Sequence, residues 1–356
     1  MKPDHLQKLF EETVYRSLAE KATSDQELEK LASRLQKALP DIIDKIAAQM
    51  ATRVYRRLLK TAPAMLRENR AARRDFEKRH YELWKKGLDL LESYLVVASE
   101  IGDTLNSHYR KRAARTRDYL FEALTRLHAR AVQVGHEVLA LLSGGFADGA
   151  HARWRTAHEI AVVANFLARH GKETAKRYLE HEAIESCKAM HEYEKHADEL
   201  GCEHFSAEEI SRAEALRDTL CQQYGEEFQT SYGWAAEALS NKRPTLKDIE
   251  EGSGMAHLRP YYRMASHNVH PNPKGIKFRL GLADGSDLLL AGPSNYGLAD
   301  PAQCIALAIL QATEPMLMTK ETIDTQVMAA IMQKFVGDIA DAFLQTHRAM
   351  ERGNRV

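Results

Sequence analysis

The chain has 356 residues, and its 50 Lys and Arg residues balance its 50 Asp and Glu residues, so the formal charge at neutral pH is zero. Hydrophobic residues make up 44% of the sequence, which excludes a fully disordered chain. A protein that binds nucleic acid through its overall charge is also excluded, so such binding needs a local basic patch. The length predicts two or three domains.

Nothing in the sequence predicts a membrane segment, a secretory signal or a disulfide framework. No apolar run approaches the ~18 residues that a transmembrane helix needs, and no apolar stretch follows the first residues. The cysteines are Cys187, Cys202, Cys221 and Cys304. None of them forms a C-x-x-C pair. We therefore expect a cytoplasmic protein that contacts no membrane and holds no resident metal or cofactor.

The charges are distributed unevenly along the chain. Residues 53–86 contain twelve Lys and Arg residues against four acids, whereas 180–229 contain fourteen acids against four Lys and Arg. The basic segment fits a solvated helix face, or a surface for nucleic acid or an acidic partner. The two segments could also attract each other, within the fold or across a dimer. Few aromatic residues interleave with the basic ones, which disfavours a stacking platform for single strands.

Apolar residues recur at spacings of three and four, which predicts amphipathic helices through most of the chain. The clearest stripes are Leu28, Leu31, Leu35, Leu39, Ile42 and Ile46, then Leu83, Leu88, Leu91, Leu95 and Ala98, then Leu120, Leu124, Leu127, Ala131 and Val138. Pro40 and Pro63 predict breaks or kinks. Gly144 and Gly145 predict a helix end.

We therefore expect an all-α protein, mostly a helical bundle, in two regions. A partly basic N-terminal helical region covers 1–115, and a helical core domain covers 116–356. One small β-hairpin is predicted near 276–291, because Ile276 to Leu280 alternate apolar and polar residues. Asp284-Gly285 is a turn signal between that run and the apolar residues that follow.

A first polar group lies on the helix that is predicted from about Ala150 to Arg169. Arg155 and Glu159 are four residues apart and share one side of this helix, while Trp154 and several alanines cover the opposite side. Burying such a charge pair is costly unless it is well paired. The pair is either a salt bridge that fixes helix packing or a charge pair positioned in a pocket.

A second polar group lies on a helix predicted from Pro260 to Pro271. Helical spacing places Arg263, Ser266, His267 and His270 on one face. Histidine exchanges a proton near neutral pH, and arginine binds phosphate through a forked pair of donors. His270 is therefore a candidate general acid or base for phosphodiester cleavage, and Arg263 a candidate for stabilising charge on phosphorus. The alternative is a histidine that caps the helix end beside an exposed arginine.

These two segments are similar to a family of bacterial helical proteins that is catalogued only as a domain of unknown function (number five-six-seven-seven). The first motif is formed by Gly149, Ala152, Arg155 and Glu159, and the second is Tyr262-Arg263-x-x-Ser266-x-x-Val269-His270-Pro271. The similarity covers roughly residues 120–315. It implies a helical fold and candidate site residues, and no reaction.

The second motif also resembles, less closely, the HEPN superfamily of helical ribonucleases and toxins. Those proteins carry an Arg followed by four to six residues and a His, and act as metal-independent dimers. Arg263 and His270 have six residues between them, although Met264 stands where a polar residue is usual. The resemblance implies a homodimer that brings two Arg/His sets together over RNA, and a role as a toxin or in phage defence.

The leading hypothesis is thus a metal-independent HEPN-like endoribonuclease. Its candidate catalytic residues are Arg263, His270, His267, Ser266, Arg155 and Glu159. One alternative is a non-enzymatic helical interaction or sensor protein. Another is a metal-dependent hydrolase that uses Glu159 and His270, with His158 and His267 as further ligands. Because buried polar faces need polar partners, we also expect Glu159 to lie beside Arg263, His267 or His270.

Overall fold

A computed structural model describes residues 5–21, 23–283 and 285–353, and nearly all of them are helical. The α-helices are α1 (His5–Lys21), α2 (Asp25–Thr116), α3 (Tyr119–Ser143), α4 (Ala147–Glu180), α5 (Glu182–Leu200), α6 (Ala207–Tyr224), α7 (Ala236–Leu239), α8 (Leu246–Ser253), α9 (Arg259–Ser266), α10 (Pro273–Lys277), α11 (Ala299–Met318) and α12 (Ile323–Gly353). Short 3₁₀ helices cover Glu226–Gln229, Gly233–Ala235 and Ala256–Leu258. The prediction of an all-α protein is confirmed. None of the described helices is long and apolar enough to cross a membrane.

The chain divides into two compact units between Asp75 and Phe76, whereas the predicted N-terminal region extends to 115. Within the first unit, no side chain whose exposure is described is buried. The predicted apolar stripe is half-buried there, for example at Leu35 and Leu39. Helix α2 continues through Pro40 and Pro63, so the predicted breaks are wrong. An internal proline removes one backbone hydrogen bond, and so long a helix keeps the others.

The second unit holds the hydrophobic core, and the last part of α2 contributes one side of it. The buried residues of α2 repeat at spacings of three and four: Trp84, Leu88, Leu91, Leu95, Ala98, Ile101 and Leu105. Leu83, which the sequence placed in this stripe, is 38% exposed, and Trp84 is buried in its stead. The Trp84 ring stacks on Phe343 of α12 at 5.4 Å between centroids. This part of α2 is therefore core structure.

Helices α3, α4 and α11 pack against one another, and α12 packs on α11. Gly144 follows the last residue of α3 and Gly145 takes φ +78°, so the predicted helix end is confirmed. The predicted helix end just after Arg169 agrees with a break at Gly171, where φ is +82° and ψ is −163°, both outside the helical range. A second helical part of α4 then continues to Glu180. The part of α4 before Gly171 carries the polar residues discussed below.

The predicted β-hairpin near 276–291 is wrong, because the described residues of that segment contain no strand. Its first two residues, Ile276 and Lys277, belong to helix α10. The Asn272 side chain accepts a hydrogen bond from the Gly275 N–H at 2.9 Å, and Pro273 occupies the first turn, where its missing N–H costs nothing. These helix-start signals outweigh the alternation of apolar and polar residues.

The rest of the segment also lacks what a hairpin needs. The Leu280 N–H donates to the Asp148 carboxylate at 2.9 Å, so it has no free hydrogen for a partner strand. Leu288 and Leu289 are 74% and 94% exposed, and therefore bury no apolar face. Asp284, half of the predicted turn, lies outside the described residues.

Two glycines offer opposite tests of the packing. A Cβ on Gly135 of α3 would lie 2.5 Å from Leu95 Cδ2 and 2.7 Å from Ile309 Cδ1, both fully buried side chains. We expect Gly135→Ala to lower the free energy of unfolding by about 1–2 kcal/mol, because overpacking outweighs the helix propensity gained.

Gly337 is an exposed position in α12, and a Cβ added there would have no atom within 4 Å. Gly337→Ala should stabilise by up to about 1 kcal/mol. Denaturant titration measures both, and a stabilised Gly135→Ala would contradict the packing.

A buried histidine makes the core sensitive to acid. The ring of His128 bonds to Thr313 Oγ1 at 3.0 Å and to the Ala98 carbonyl at 3.1 Å. In the neutral imidazole Nε2–H donates to the Ala98 carbonyl. Nδ1 lies beside the Thr313 hydroxyl, which donates its proton to the Ile309 carbonyl at 2.7 Å. Burial lowers the pKa of His128 from 6.5 to about 4.

We therefore expect the protein to lose stability on acidification from pH 6.5 to 4. The unfolded chain binds this proton first, so the contribution is complete above pH 6.5 and is lost as the pH falls toward 4. The difference between the unfolded and folded pKa of His128 alone accounts for about 3 kcal/mol of the free energy of unfolding. His128→Leu should flatten this part of the stability curve, whereas His196→Leu, at an exposed position of α5, should not. Equal pH slopes in wild type and His128→Leu would refute the assignment.

Candidate functional site in the groove beside α4

One side of α4 carries polar and aromatic side chains instead of apolar ones. His151, Trp154, Arg155, His158 and Glu159 follow the i, i+3, i+4, i+7, i+8 spacing of a single helix side. The two histidines and the tryptophan are buried, and the charged pair is half-buried. Trp154 thus lies beside Arg155, and not on the opposite side as predicted. Because Arg155 and Glu159 are half-exposed to solvent, their pairing costs less desolvation free energy than full burial would.

The rings of this row contact one another and continue into α9. His151 stacks on Trp154 with centroids 5.4 Å apart, Trp154 lies 5.5 Å from His158, and His158 lies 5.5 Å from Tyr262 of α9. The row therefore joins the two helices that carry the predicted polar groups.

Tyr262 completes a polar cluster with the Arg155–Glu159 pair. Its hydroxyl donates to Glu159 Oε1 at 2.7 Å, and the Arg155 guanidinium lies 4.6 Å above its ring. Arg155 Nε lies 3.2 Å from the same carboxylate oxygen, but it is not aligned for a hydrogen bond. Burial, and then the bond to Glu159, raise the pKa of Tyr262, so its hydroxyl stays protonated and donating. Tyr262 therefore links α9 to α4 through a side-chain hydrogen bond.

A second network, in which His158 and Glu250 are wholly buried and Arg259 is half-buried, joins α4 to α8 and α9. His158 Nε2 is 3.2 Å from Glu250 Oε1, and neither side chain is exposed. Arg259, at the start of α9, pairs with the other oxygen of Glu250. Glu250 is positioned by α8, which begins with a capping box between Thr245 and Asp248. One carboxylate thereby ties α4, α8 and α9 together.

His158 is neutral in this network. Burial lowers the pKa of His158, an effect that its hydrogen bond to Glu250 partly opposes. Its Nε2–H donates to Glu250, and its Nδ1 has no hydrogen-bond partner within the described structure. Because the side chain is wholly enclosed, we assign it to positioning and not to contact with a substrate.

The four residues predicted to share one face of the second helix are differently placed. Helix α9 ends at Ser266, four residues before the expected end, and i→i−3 backbone bonds follow through Val269. Arg263 and His270 are exposed, and Ser266 and His267 are half-buried. The Ser266 hydroxyl donates to the Tyr262 carbonyl at 2.8 Å, and Asn272 Nδ2 donates to His267 Nδ1 at 2.9 Å. The angular argument for a common helix face therefore does not extend to His270.

Glu159 contacts α9 through Tyr262, a residue outside the two predicted polar groups. Glu159 has contacts with Arg155 and Tyr262. Within the described structure, no hydrogen bond or ion pair joins it to Arg263, His267 or His270. A tyrosine is the intermediary because its hydroxyl reaches across the interface while its ring remains in the core.

The described side chains offer no cluster of three or more His, Cys, Asp or Glu residues suited to a metal ion. Glu159, His158, His267 and His270 therefore do not form the ligand set that the metal-dependent alternative requires. In particular, His158 is already committed to Glu250.

A shallow groove of about 430 Å³ runs along α4, and its lining includes the first sequence motif and one residue of the second. It is lined by Leu141, Gly149, Ala152, Arg153, Arg155, Thr156, Glu159 and Val269. All four residues of the first motif are among them, together with Val269 from the second. The small side chains of Gly149 and Ala152 leave room along the helix, and the charged pair lies farther along the same helix. His270 follows Val269 directly in the sequence. We take this groove as the candidate site.

Sequence reasoning missed Glu250 and Arg259 and gave Tyr262 no role. Tyr262 stands in the second motif, so a search for polar residues among core positions would have found it. Glu250 lies 92 residues from His158, and no local spacing connects them. Only the packing of α8 on α4 does so.

Adjacent tyrosines test the contribution of the Glu159 contact. We expect Tyr262→Phe to lower the free energy of unfolding by about 1 kcal/mol, because it removes one hydrogen bond and leaves the ring in place. Tyr261 is 49% exposed, so Tyr261→Phe should change stability by less than about 0.5 kcal/mol. Thermal and denaturant unfolding of both variants measure this. Equal effects of the two substitutions would contradict the role given to Tyr262.

Comparison with known proteins agrees with the resemblance seen in the sequence. Residues 121–287 match the profile of DUF5677, described as a family of unknown function. No curated protein and no solved structure matches the chain, so these comparisons supply no activity. The matched segment begins in α3 and includes α4, α8, α9 and the candidate groove. The chain therefore carries, over residues 121–287, a domain of this family of unknown function.

Proposed function

We propose that the protein is a metal-independent, HEPN-like endoribonuclease that holds RNA in the groove beside α4. The observation that carries the proposal is the groove lining, which holds all four residues of the first motif and Val269 of the second, more than a hundred residues farther along the chain. Residues whose only role was to stabilise their own helices would not need to line a common groove.

The groove suits the backbone of a nucleic acid. Arg153 and Arg155 contribute positive charge to its lining, and Gly149 and Ala152 allow close approach to the helix. Both arginines are half-buried and are held by carboxylates, Arg153 by Glu137 and Arg155 by Glu159. Their guanidinium groups are therefore positioned before a ligand arrives, which lowers the entropy cost of binding.

Arg263 and His270 supply the chemistry in this proposal. Both side chains are exposed, while the backbone between them is fixed by Tyr262, Ser266 and His267. Exposed groups on an anchored backbone suit a catalyst, because the reacting atoms need a defined position. Arg263 would neutralise charge that develops on phosphorus.

The reaction needs both a base and an acid. The base takes the proton of a ribose 2′-hydroxyl, whose oxygen then bonds to the adjacent phosphorus. The bond from phosphorus to the 5′-oxygen breaks, and the acid gives that oxygen a proton. The products are a 2′,3′-cyclic phosphate and a 5′-hydroxyl. His270 supplies one of the two groups and the same residue of a second copy supplies the other, so the proposal includes a homodimer.

The basic segment 53–86 fits the same substrate. All of its Lys and Arg side chains are exposed, and a row of cations attracts a polyanion at low salt. A role as a toxin or in phage defence belongs to the proposal on the ground of the HEPN resemblance alone. The proposed cytoplasmic location rests instead on the lack of a predicted secretory signal and of a disulfide framework in the sequence.

One observation favours the alternative of a non-enzymatic interaction protein. Large apolar side chains of the same part of α2 are exposed, among them Tyr55 at 61%, Leu58 at 55% and Leu59 at 54%. Such residues mark a surface that another protein covers. An acidic protein partner would cover these apolar side chains, and its carboxylates would pair with the Lys and Arg side chains that the nuclease proposal assigns to RNA.

The nuclease is tested by incubating the purified full-length protein with single-stranded and structured RNA, with and without EDTA. We expect cleavage in both conditions, with 2′,3′-cyclic phosphate ends. His270→Ala should lower the rate by on the order of 10²–10⁴, the usual contribution of a general acid or base.

The matched control is His196→Ala, which removes another exposed histidine, on α5, and should retain the wild-type rate. Cleavage that EDTA abolishes would favour the metal-dependent alternative. Absence of cleavage by the wild-type protein would favour the interaction protein, and equal rates for His270→Ala and wild type would remove His270 from the mechanism.

A further inference from the structure

One side chain, that of Asn272, holds the turn between α9 and α10. Its Oδ1 accepts a hydrogen bond from the Gly275 N–H at 2.9 Å, and its Nδ2 lies 2.9 Å from His267 Nδ1. Its backbone N–H donates to the His270 carbonyl at 2.7 Å. Gly275 is buried, and a Cβ added there would collide with the His267 carbonyl oxygen, so the turn packs tightly against α10. His267 is therefore fixed relative to the backbone of His270.

The bond to Gly275 decides which way round the Asn272 carboxamide lies. A backbone N–H needs an acceptor, so the carboxamide oxygen faces Gly275 and the carboxamide nitrogen faces the His267 ring. That nitrogen is a donor only, and His267 Nδ1 therefore has to accept. A neutral imidazole carries one ring proton, which must then lie on Nε2. The contact with Asn272 thus sets the tautomer of His267.

The other ring nitrogen of His267 is accessible. The side chain is half-buried, and its Nε2 has no hydrogen-bond partner within the described structure. Unlike Nδ1 of His158, this atom is not enclosed by the protein. Val269, two residues farther along the chain, lines the groove. His267 therefore presents an N–H donor to solvent from an anchored backbone. A nitrogen that carries a proton has no lone pair to take another, but it can donate to an oxyanion.

We propose that His267 donates from Nε2 to a phosphate oxygen of the RNA, and that Asn272 is the positioning residue that keeps the proton on that nitrogen. This role rests on the proposed nuclease. It assigns His267, a candidate catalytic residue, to binding phosphate and not to proton transfer. His270 differs because Asn272 holds its carbonyl and not its ring, so the His270 ring remains free to exchange a proton.

The tautomer is measured by nitrogen NMR of the full-length protein, with ¹⁵N-labelled histidine, at pH 8. The His267 signals are those that disappear in His267→Gln. We expect a protonated Nε2 and an unprotonated Nδ1 in the wild-type protein. Asn272→Asp keeps an acceptor for the Gly275 N–H, but a carboxylate offers the ring acceptors only, so Nδ1 should become protonated.

The matched control is Asn268→Asp, which adds the same charge beside His267 in the sequence. The Asn268 side chain lies 3.5 Å from His151 and has no hydrogen bond to the His267 ring within the described structure, so His267 Nδ1 should remain unprotonated. An unprotonated Nδ1 in Asn272→Asp would overturn the proposal.

A pair of substitutions separates donation from proton transfer. The carboxamide of glutamine donates a hydrogen bond but does not carry a proton from one atom to another, whereas leucine does neither. We expect His267→Leu to lower kcat/KM for RNA cleavage by about 10- to 100-fold, mainly through KM, the effect of one hydrogen bond to a charged group. His267→Gln should lose at least threefold less. Equal losses in the two variants would overturn the donor role.

The results distinguish failure of this inference from failure of the nuclease. Cleavage by the wild-type protein together with an unchanged tautomer in Asn272→Asp would overturn the inference and leave the nuclease in place. Absence of both RNA binding and cleavage by the wild-type protein would overturn the nuclease and the phosphate contact together. Melting curves identify a variant that fails to fold, and if His267→Leu does, the NMR comparison of Asn272→Asp with Asn268→Asp decides.

Discussion

The domain depends on burying a polar side of α4 where a helical bundle normally places apolar side chains. A buried polar group is tolerated only when a partner satisfies it. Helices α8 and α9 are positioned to supply those partners, Glu250 from one and Tyr262 from the other. The irregular segment between α6 and α11 is thereby held against the regular bundle by directional bonds.

The structure distinguishes enclosed polar residues from solvent-accessible ones, a difference that the sequence pattern does not show. His158 and Glu250 are wholly enclosed and satisfy each other, which suits a positioning role. Arg155 and Glu159 are half-exposed and line a groove, which leaves them accessible to a ligand. The proposed function therefore rests on the outer residues, and the inner network accounts for the rigidity of the surface that carries them.

The same need for polar partners explains why the residues of the second motif do not share one helix face. Beyond Ser266 the chain forms a series of tight turns, and Asn272 both starts α10 and contacts His267. His270 is thus presented on a turn that is anchored at both ends. Turns can place a side chain at the rim of a groove where a continuing helix would carry it along its own axis.

The sequence by itself determined the helical class, the core stripe that includes Leu88, Leu91 and Leu95, the helix end at Gly144 and Gly145, and the family to which residues 121–287 belong. These features are local, because periodicity and helix-end signals act within a few turns of helix.

The sequence misjudged the hairpin near 276–291. Alternation of apolar and polar residues takes no account of the Asn272 side chain that caps α10, or of the Asp148 carboxylate, which binds Leu280 from 132 residues away. Only the tertiary structure decided that Tyr262 bridges to Glu159, that Glu250 bonds to His158, and that Val269 of the second motif lines the groove formed along the first. Helical spacing reports which residues share a side, but the partner that covers that side is chosen by packing between segments distant in the chain.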